Sequence, residues 1–331
     1  MPKPKALFIL GNRGYDLIYR DVAAEIAELV DLYAPPQTKD SVAKEPSLLA
    51  PMELLLTGWD CPKLEEAFLS AAANLKAVIY ASGSIRPVVT EAFWDKGIPI
   101  TSAWDCNATP VAEYVLAQIF LLLKKVWHYA FEAREKRSWP VRIDMPGGCG
   151  STVGVISLGL VGRRVCRLLQ PFDLKVLAYD PYAKPADAAS LHVELVSLED
   201  IFRRSDVVTL HAPTLKETTG MITGEHFRMM KRDASFINTS RGVIVRQEEM
   251  IEALKSRADI WAVLDVTSPE PPIAGSPLFS LPNVVVTPHV AGPYGNECRR
   301  NGWYAIGEIK RFLAGQPFEW GIDRKRAAIL A

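Results

Sequence analysis

Short apolar runs alternate along this chain with segments of helical period, and that alternation restricts it to βα units around mostly parallel sheets. In the first third, Ala6–Leu10, Glu53–Leu56, Ala77–Tyr80 and Pro99–Thr101 read as strands. Cys61–Ala73 and Val88–Lys96 read as helices between them. Pro110–Lys136 reads as one long helix opened by Thr109-Pro110, an N-cap followed by a first helical proline. Its apolar residues are too numerous for one buried stripe, which suits a place between domains or at a subunit interface.

After a turn around Pro146–Gly150 the alternation restarts more regularly. Thr152–Leu158, Leu174–Asp180, Val207–His211, Ser235–Asn238, Trp261–Asp265 and Asn283–Thr287 are strand candidates. Helices are expected near Gly162–Leu169, Leu198–Arg204, Gly224–Met230 and Glu248–Ser256. Six strands interleaved with helices describe a doubly wound domain. A last helical run, Glu297–Ala314, is expected to return to the first domain, giving two chain crossings. At roughly 100–200 residues per domain, a length of 331 fits two domains.

Charge and apolar content narrow the partners. Lys+Arg and Asp+Glu are both 38, so there is no electrostatic footprint for a polyanion, and no nucleic-acid partner is expected. The longest apolar run, Val115–Leu123, is interrupted by Gln118 and closed by Lys124-Lys125. It falls short of the roughly 20 residues that span a bilayer, so no membrane partner is expected. Met1–Lys5 is basic, but Ala6–Leu10 is shorter than a secretory core of about 7–15 residues. The five cysteines are odd in number and lack metal-binding spacing, which predicts reduced thiols, no metal and a cytoplasmic location. Cys149, within Gly147-Gly148-Cys149-Gly150, is the thiol to watch for reactivity. No long extension follows Ala331, so no appended regulatory domain is expected.

The segment Val153–Gly162 follows a strand and opens a helix. It carries the second and third glycines of G-x-G-x-x-G, Gly159 and Gly162, with Ser157 in the first position. Gly159 would admit a pyrophosphate to the backbone, and Gly162 would let helix and strand approach closely. Leu160 and Val161 then lie at a helix N-terminus, where unpaired N–H groups favour phosphate. Asp180 lies 18 residues beyond Gly162 at the end of the next strand, where the fingerprint wants an acid for the adenosine ribose. A carboxylate there repels a 2′-phosphate, so NAD is expected and NADP is disfavoured. The bland alternative for Asp180 is a turn before Pro181. Ser157 is expected to tighten or shift the turn and to weaken adenosine-side contacts.

Three further segments stand at the C-terminal ends of expected strands, the edge where doubly wound sheets place ligands. They are Asn238–Gly242, Asp265–Pro271 and Thr287–Gly292. Together they supply an arginine, a carboxylate and an imidazole, a kit suited to carbonyl/alcohol redox chemistry on an acid. Arginine grips a carboxylate bidentately. An imidazole exchanges protons near neutrality, and a carboxylate beside it fixes its tautomer. Each residue alone has an ordinary surface or structural reading; their common placement raises the functional one.

With these residues in order, the chain resembles the D-isomer-specific 2-hydroxyacid dehydrogenases. The likeness covers nearly the whole chain and is strongest from Asn107 to Gly292. It is carried by Val153–Gly162, Ser205–Pro213, Asn238–Val243, Leu264–Pro271 and Thr287–Gly292. The resemblance implies an α/β protein of two doubly wound parallel-sheet domains, a Rossmann cofactor domain inserted into a discontinuous flavodoxin-like substrate domain. The implied bounds are 1–105 for the first substrate-domain segment, 106–292 for the cofactor domain and 293–331 for the returning helix and tail. It implies an active site in the cleft between the domains and a homodimer through the cofactor domains, with Pro110–Lys136 as a contributor.

Carried over by position, His289 resembles the acid/base, Glu270 its carboxylate partner, and Arg241 the residue that grips the substrate carboxylate. Asp265 resembles the nicotinamide-side acid. His211, Ala212, Pro213, Thr218, Thr239, Ser240, Arg241, His289 and Gly292 resemble further cofactor contacts. Ser82, Gly83 and Ser84 occupy the place where family members offer backbone N–H groups to substrate, and Asn107 matches a substrate-side position. The implied reaction is reversible hydride transfer between NAD(H) and a small D-2-hydroxy or 2-oxo acid, favoured toward reduction at lower pH. Trp104, Trp139 and Trp303 would suit a bulky 2-oxo acid, and Arg86 a second anionic group; the sequence does not choose between them. Two rivals stay open: an NAD(H)-sensing corepressor on the same fold, and a formate- or phosphite-type reaction. Glu270 favours hydroxy acids over formate, whose sites resemble a Gln–His pairing.

Overall fold

The computed structural model describes residues 2–329. The chain divides into two compact units, one formed by residues 1–107 and 293–331 and the other by 108–292.

In the first unit, β1 (Lys5–Ile9), β2 (Asp31–Leu32), β3 (Leu54–Thr57), β4 (Ala77–Tyr80) and β5 (Ile100–Ser102) pair in parallel in the order β2-β1-β3-β4-β5. That is the flavodoxin-like order. The short strand Gly321–Ile322 runs antiparallel along β5. β3 and β4 are buried along their whole length, as strands covered on both faces must be, which explains their unbroken apolar sequences. The helix Arg299–Leu313 covers this sheet, placing Tyr304, Ala305, Ile306 and Ile309 in one core with Phe8, Leu54 and Ile79. Gly302 makes this approach possible, because a Cβ there would run into the carbonyl oxygen of Ile18.

That helix also buries a carboxylate. Glu308 is 1% exposed; its Oε1 accepts from the Glu319 N–H at 3.3 Å, and its Oε2 has no hydrogen-bond partner. Burial raises its pKa above the ordinary 4.5. Unfolding restores the ordinary value, so this group's contribution to stability is complete below about pH 4.5 and is lost as pH rises through the folded value. Glu308→Gln removes that loss. The variant is expected to melt above the parent at pH 8, with the gap closing toward pH 4.5, as thermal melts across that range would show.

In the second unit, β6 (Thr152–Ile156), β7 (Lys175–Tyr179), β8 (Glu194–Leu195), β9 (Val207–Leu210), β10 (Ser235–Asn238), β11 (Trp261–Leu264) and β12 (Val284–Val286) form one sheet. Every pairing is parallel, in the order β8-β7-β6-β9-β10-β11-β12. The order reverses between β6 and β9, the switch point of a Rossmann sheet. The six expected strands are present, and β8 is an addition too short for periodicity to reveal.

The expected helix Pro110–Lys136 is corrected. One helix runs Trp104–Leu123, with Pro110 inside it, and a second runs Val126–Lys136. Thr109-Pro110 is a local start signal, but burial of Ala108, Pro110, Ala112 and Val115 holds the chain helical through the proline despite one lost backbone bond. The break comes at Lys125, whose φ is 50° and whose buried Nζ meets Asp233 at 2.8 Å. The reading of membrane-spanning potential is corrected as well. Trp104–Leu123 is long and apolar enough to cross a bilayer by length and composition. Its apolarity has a place in the fold, since Ala112, Val115, Ile119 and Leu122 share a core with Val153, Val155 and Val165.

Candidate active site

Because all seven strands of the second unit run parallel, the residues following β6, β7, β9, β10, β11 and β12 emerge on one edge of the sheet. After β6, Ser157 adopts φ 76°, the left-handed conformation that a fingerprint glycine takes freely and serine adopts at a cost of roughly 1 kcal/mol. Its hydroxyl lies 3.4 Å from Asp180 Oδ2, which also accepts the Leu158 N–H at 2.7 Å. Asp180 Oδ1 accepts the Tyr182 N–H at 2.8 Å. Asp180 thus clasps the glycine turn as well as ending β7.

Gly162 stands against the strand so closely that a Cβ would collide with the Ser157 carbonyl oxygen. Gly159, by contrast, faces open space, with Ser157 Oγ at 3.8 Å as the nearest atom to a built Cβ. It caps the ten-residue helix Leu160–Leu169 without a side-chain hydrogen bond, leaving the first-turn N–H groups to an external acceptor. Thr239 adds a buried hydroxyl with no partner. An open glycine cradle, unspent helix donors and an orphaned hydroxyl on one sheet edge fit a dinucleotide. Arg163, one residue beyond Gly162, holds the turn through Leu158 O at 2.7 Å and pairs with Asp187 at 3.0 Å.

The loops after β9 and β10 are locked together. Ser240 Oγ donates to Ala212 O, and Ser240 N–H to Asn238 Oδ1 at 3.0 Å. His211 lies 3.0 Å from Thr209 Oγ1, and burial lowers its pKa to about 3, so this imidazole is neutral in ordinary conditions. Thr218 closes its own loop, donating to Pro213 O at 2.6 Å and accepting from Leu215 N–H at 2.8 Å. Arg241 Nη1 donates to Ser240 O at 2.7 Å. Gly242 follows, and a Cβ there would overlap the carbonyl group of Thr267. Glycine therefore lets the Arg241 turn lie directly on the loop that carries Glu270.

Across that loop, His289 Nδ1 meets Glu270 Oε1 at 2.6 Å, with both side chains solvent-accessible. His289 has φ 54°, a left-handed conformation uncommon for a non-glycine residue and one that neighbouring bonds must impose. Asp265 imposes it. The residue is 2% exposed; its Oδ1 accepts from Thr287 Oγ1 at 2.6 Å and Val290 N–H at 2.8 Å, and its Oδ2 from Ala291 N–H at 2.9 Å. Its carbonyl accepts the His289 N–H at 3.0 Å. Asp265 thus spends these bonds on bracing the histidine loop, a job the sequence did not disclose. Tyr114, 3.0 Å from Thr287 Oγ1, extends the brace. Gly292 ends the unit, with nothing near a built Cβ.

Of the substrate residues named from the sequence, Ser82, Gly83, Ser84 and Asn107 lie in the first unit, and Arg241 and His289 in the second. Ser82 is buried, Gly83, Ser84 and Asn107 are half-buried, and Ser102 Oγ donates to the carbonyls of Ser82, at 2.9 Å, and Gly83. Trp104 packs edge-on to Trp320 under Arg326, and Arg86 Nε donates to Ala327 O at 3.3 Å. Trp139 and Trp303 are mostly exposed. Cys149 is exposed, but its thiol donates to Asp173 at 2.8 Å, and that carboxylate raises its pKa, which disfavours the reactive thiolate. Among the described residues, no group of three or more His, Cys, Asp or Glu is placed to hold a metal ion.

Residues 116–291, more than half of the chain, match the NAD binding domain of the D-isomer specific 2-hydroxyacid dehydrogenases. The chain belongs to that family. D-3-phosphoglycerate dehydrogenase of Archaeoglobus fulgidus is 34% identical over 258 residues, covering 77% of this chain and 48% of the relative. Glycerate dehydrogenase of Methylorubrum extorquens is 32% identical over 257 residues, covering 75% and 79%. The chain spans about half the length of the phosphoglycerate relatives it matches. Among solved structures, the NAD-complexed D-isomer specific 2-hydroxyacid dehydrogenase of Lactobacillus delbrueckii ssp. bulgaricus superposes with a TM-score of 0.80 at 20% identity, covering 96% of this chain and all of that one. The two-sheet α/β fold of this dehydrogenase-family chain is therefore the one the sequence implied. In the second unit His289 and Glu270 are in contact, His289 standing on the loop that Asp265 braces.

Proposed function

We propose that the protein is an NAD-dependent dehydrogenase that interconverts a small D-2-hydroxy acid and its 2-oxo acid. The observation that carries this reading is the 2.6 Å His289–Glu270 contact on a loop that Asp265 holds in a left-handed turn. NAD(H), when bound, supplies or accepts the hydride. Gly159 and the N–H groups of Leu160 and Val161 would hold its pyrophosphate and Asp180 its ribose, with Ala212, Thr239 and Ser240 as further contacts. His289 donates its Nε2 proton to the carbonyl oxygen in reduction and removes the hydroxyl proton in oxidation. Glu270 keeps the Nδ1 proton in place and stabilises the imidazolium. Arg241 grips the carboxylate and polarises the carbonyl.

On this reading residues 108–292 form the cofactor domain, and the first unit supplies the substrate loop Ser82–Ser84 with Asn107. A homodimer belongs to the same proposal. The helix Val126–Lys136 buries none of its residues, and Val126, Phe131, Trp139, Val141, Ile143 and Met145 leave a run of apolar side chains exposed. Exposed apolar side chains gathered along one segment are the material of a subunit interface. A cytoplasmic location completes it, in keeping with five free cysteines. Oxidation of NADH and NADPH against glyoxylate, hydroxypyruvate, pyruvate, phenylpyruvate and 2-oxoglutarate tests the activity. Turnover of at least one acid is expected, faster with NADH. NADH binding without turnover of any 2-oxo acid would contradict it.

A further inference from the structure

We propose that Asn301, on the returning helix, is a positioning residue that turns the amide N–H groups of Asn107 toward the carboxylate of the substrate. This rests on the dehydrogenase reading above and goes beyond it by naming how the first unit presents donors to an anion. Asn301 is fully buried. Its Nδ2 donates to Ala81 O at 3.0 Å and to Asn107 Oδ1 at 3.0 Å. A backbone carbonyl can only accept, so Ala81 fixes which end of the Asn301 amide faces inward. Asn107 must then offer its oxygen to Asn301 and turn its nitrogen the other way.

That nitrogen lies over the Ser82–Ser84 turn. A Cβ built on Gly83 would sit 2.9 Å from Asn107 Nδ2, so the absent side chain is what makes room for the amide. Among the described residues Asn107 Nδ2 has no acceptor, and it is not among the buried orphans, so its donors are open to a ligand. The acceptors of the same turn are turned away, because the Ser82 and Gly83 carbonyls take the Ser102 hydroxyl. A turn whose Ser82 and Gly83 carbonyls are engaged, beside an amide whose N–H groups are open, offers donors to a ligand. A carboxylate, which only accepts when ionised, is the complementary group.

The test uses the full chain and a 2-oxo acid that the parent reduces. Asn107→Asp keeps an oxygen for Asn301 but replaces the outward donors with an acceptor. It is expected to raise KM about tenfold or more, with kcat within about threefold and NADH affinity unchanged. Asn301→Leu is expected to raise KM similarly, and the double variant Asn107→Ala, Asn301→Leu to match Asn107→Ala alone, since one residue acts through the other. Equilibrium binding of oxamate to the NADH complex should weaken in parallel. Unchanged KM in Asn107→Asp, or KM effects that multiply in the double variant, overturns the proposal while leaving the dehydrogenase reading intact. Should Asn301→Leu fail to fold, Asn107→Asp and oxamate binding decide alone. A parent that reduces no 2-oxo acid overturns both.

Discussion

His289→Ala is expected to lower the rate of 2-oxo acid reduction by roughly 10²–10⁴-fold, the range a positioned general acid contributes, with NADH affinity largely kept. The expectation rests on geometry. His289 is held by its backbone to Asp265 O, by its loop to the Asp265 carboxylate, and by Nδ1 to Glu270, which leaves Nε2 as its remaining ring nitrogen. Glu270→Gln tests the orienting half of the pair. An amide accepts or donates equally well and no longer dictates the tautomer, so a loss of at least about tenfold is expected, smaller than in His289→Ala. The proton balance fixes the sign with pH. Reduction consumes a proton that His289 must carry, so it is favoured as pH falls; oxidation needs the neutral imidazole and is favoured as pH rises. Stopped-flow rates in both directions, with chemistry limiting, show this, and a His289→Ala variant within threefold of the parent contradicts the assigned role.

Gly242→Ala is expected to be nearly as damaging, though position 242 carries no chemistry. A single methyl there overlaps the Thr267 carbonyl, which is backbone and cannot swing aside as a side-chain end would. Either the Arg241 turn lifts or the Thr267–Glu270 loop retreats, and each alternative moves Arg241 or moves Glu270 from its place beside His289. Overpacking of this kind costs about 1–3 kcal/mol, and a displacement near 1 Å at a reacting group costs about 10²-fold in rate. Reduced kcat/KM together with a lower melting temperature is expected. Unaltered kinetics with an unaltered melt would show that the two loops do not depend on this approach. Gly159→Ala makes the comparison specific: its Cβ meets open space, so it should spare the fold and weaken cofactor binding instead.

Much of this architecture was legible because parallel strands buried on both faces leave continuous apolar runs. Ser235–Asn238 and Leu198–Arg204 were placed to the residue. What the sequence concealed is where a tertiary contact overrides a local signal. Thr109-Pro110 looks like a helix start, yet the helix begins at Trp104 because the turns around Pro110 are buried. Lys125 looks like helical surface, yet it ends the helix by turning inward to Asp233. Ser157 looked like a defect in the fingerprint, and the structure gives it the left-handed backbone that glycine would adopt.

The site divides in the same way. Arg241, Glu270 and His289 stand out because motifs place them on one sheet edge. Asp265 was visible as a residue, but its brace on Thr287, Val290 and Ala291 was not, since no spacing rule encodes a strand-end carboxylate gripping a neighbouring loop. Asn301 left one faint signal, a polar residue on the helix face shared with Ala305 and Ile309. Periodicity reads such a position as core and says nothing of a partner 194 residues earlier in the chain.

On the dehydrogenase reading, NADH held at this edge of the second unit gives its hydride to a 2-oxo acid while His289 supplies the proton. Single-turnover reduction of a 2-oxo acid with NADH deuterated at the transferable position tests it most directly. Deuterium is expected at C2 of a D-2-hydroxy acid, with the transfer lost in His289→Ala while NADH still binds. Bound NADH with no label transferred to any 2-oxo acid, or equal transfer by parent and variant, would contradict it.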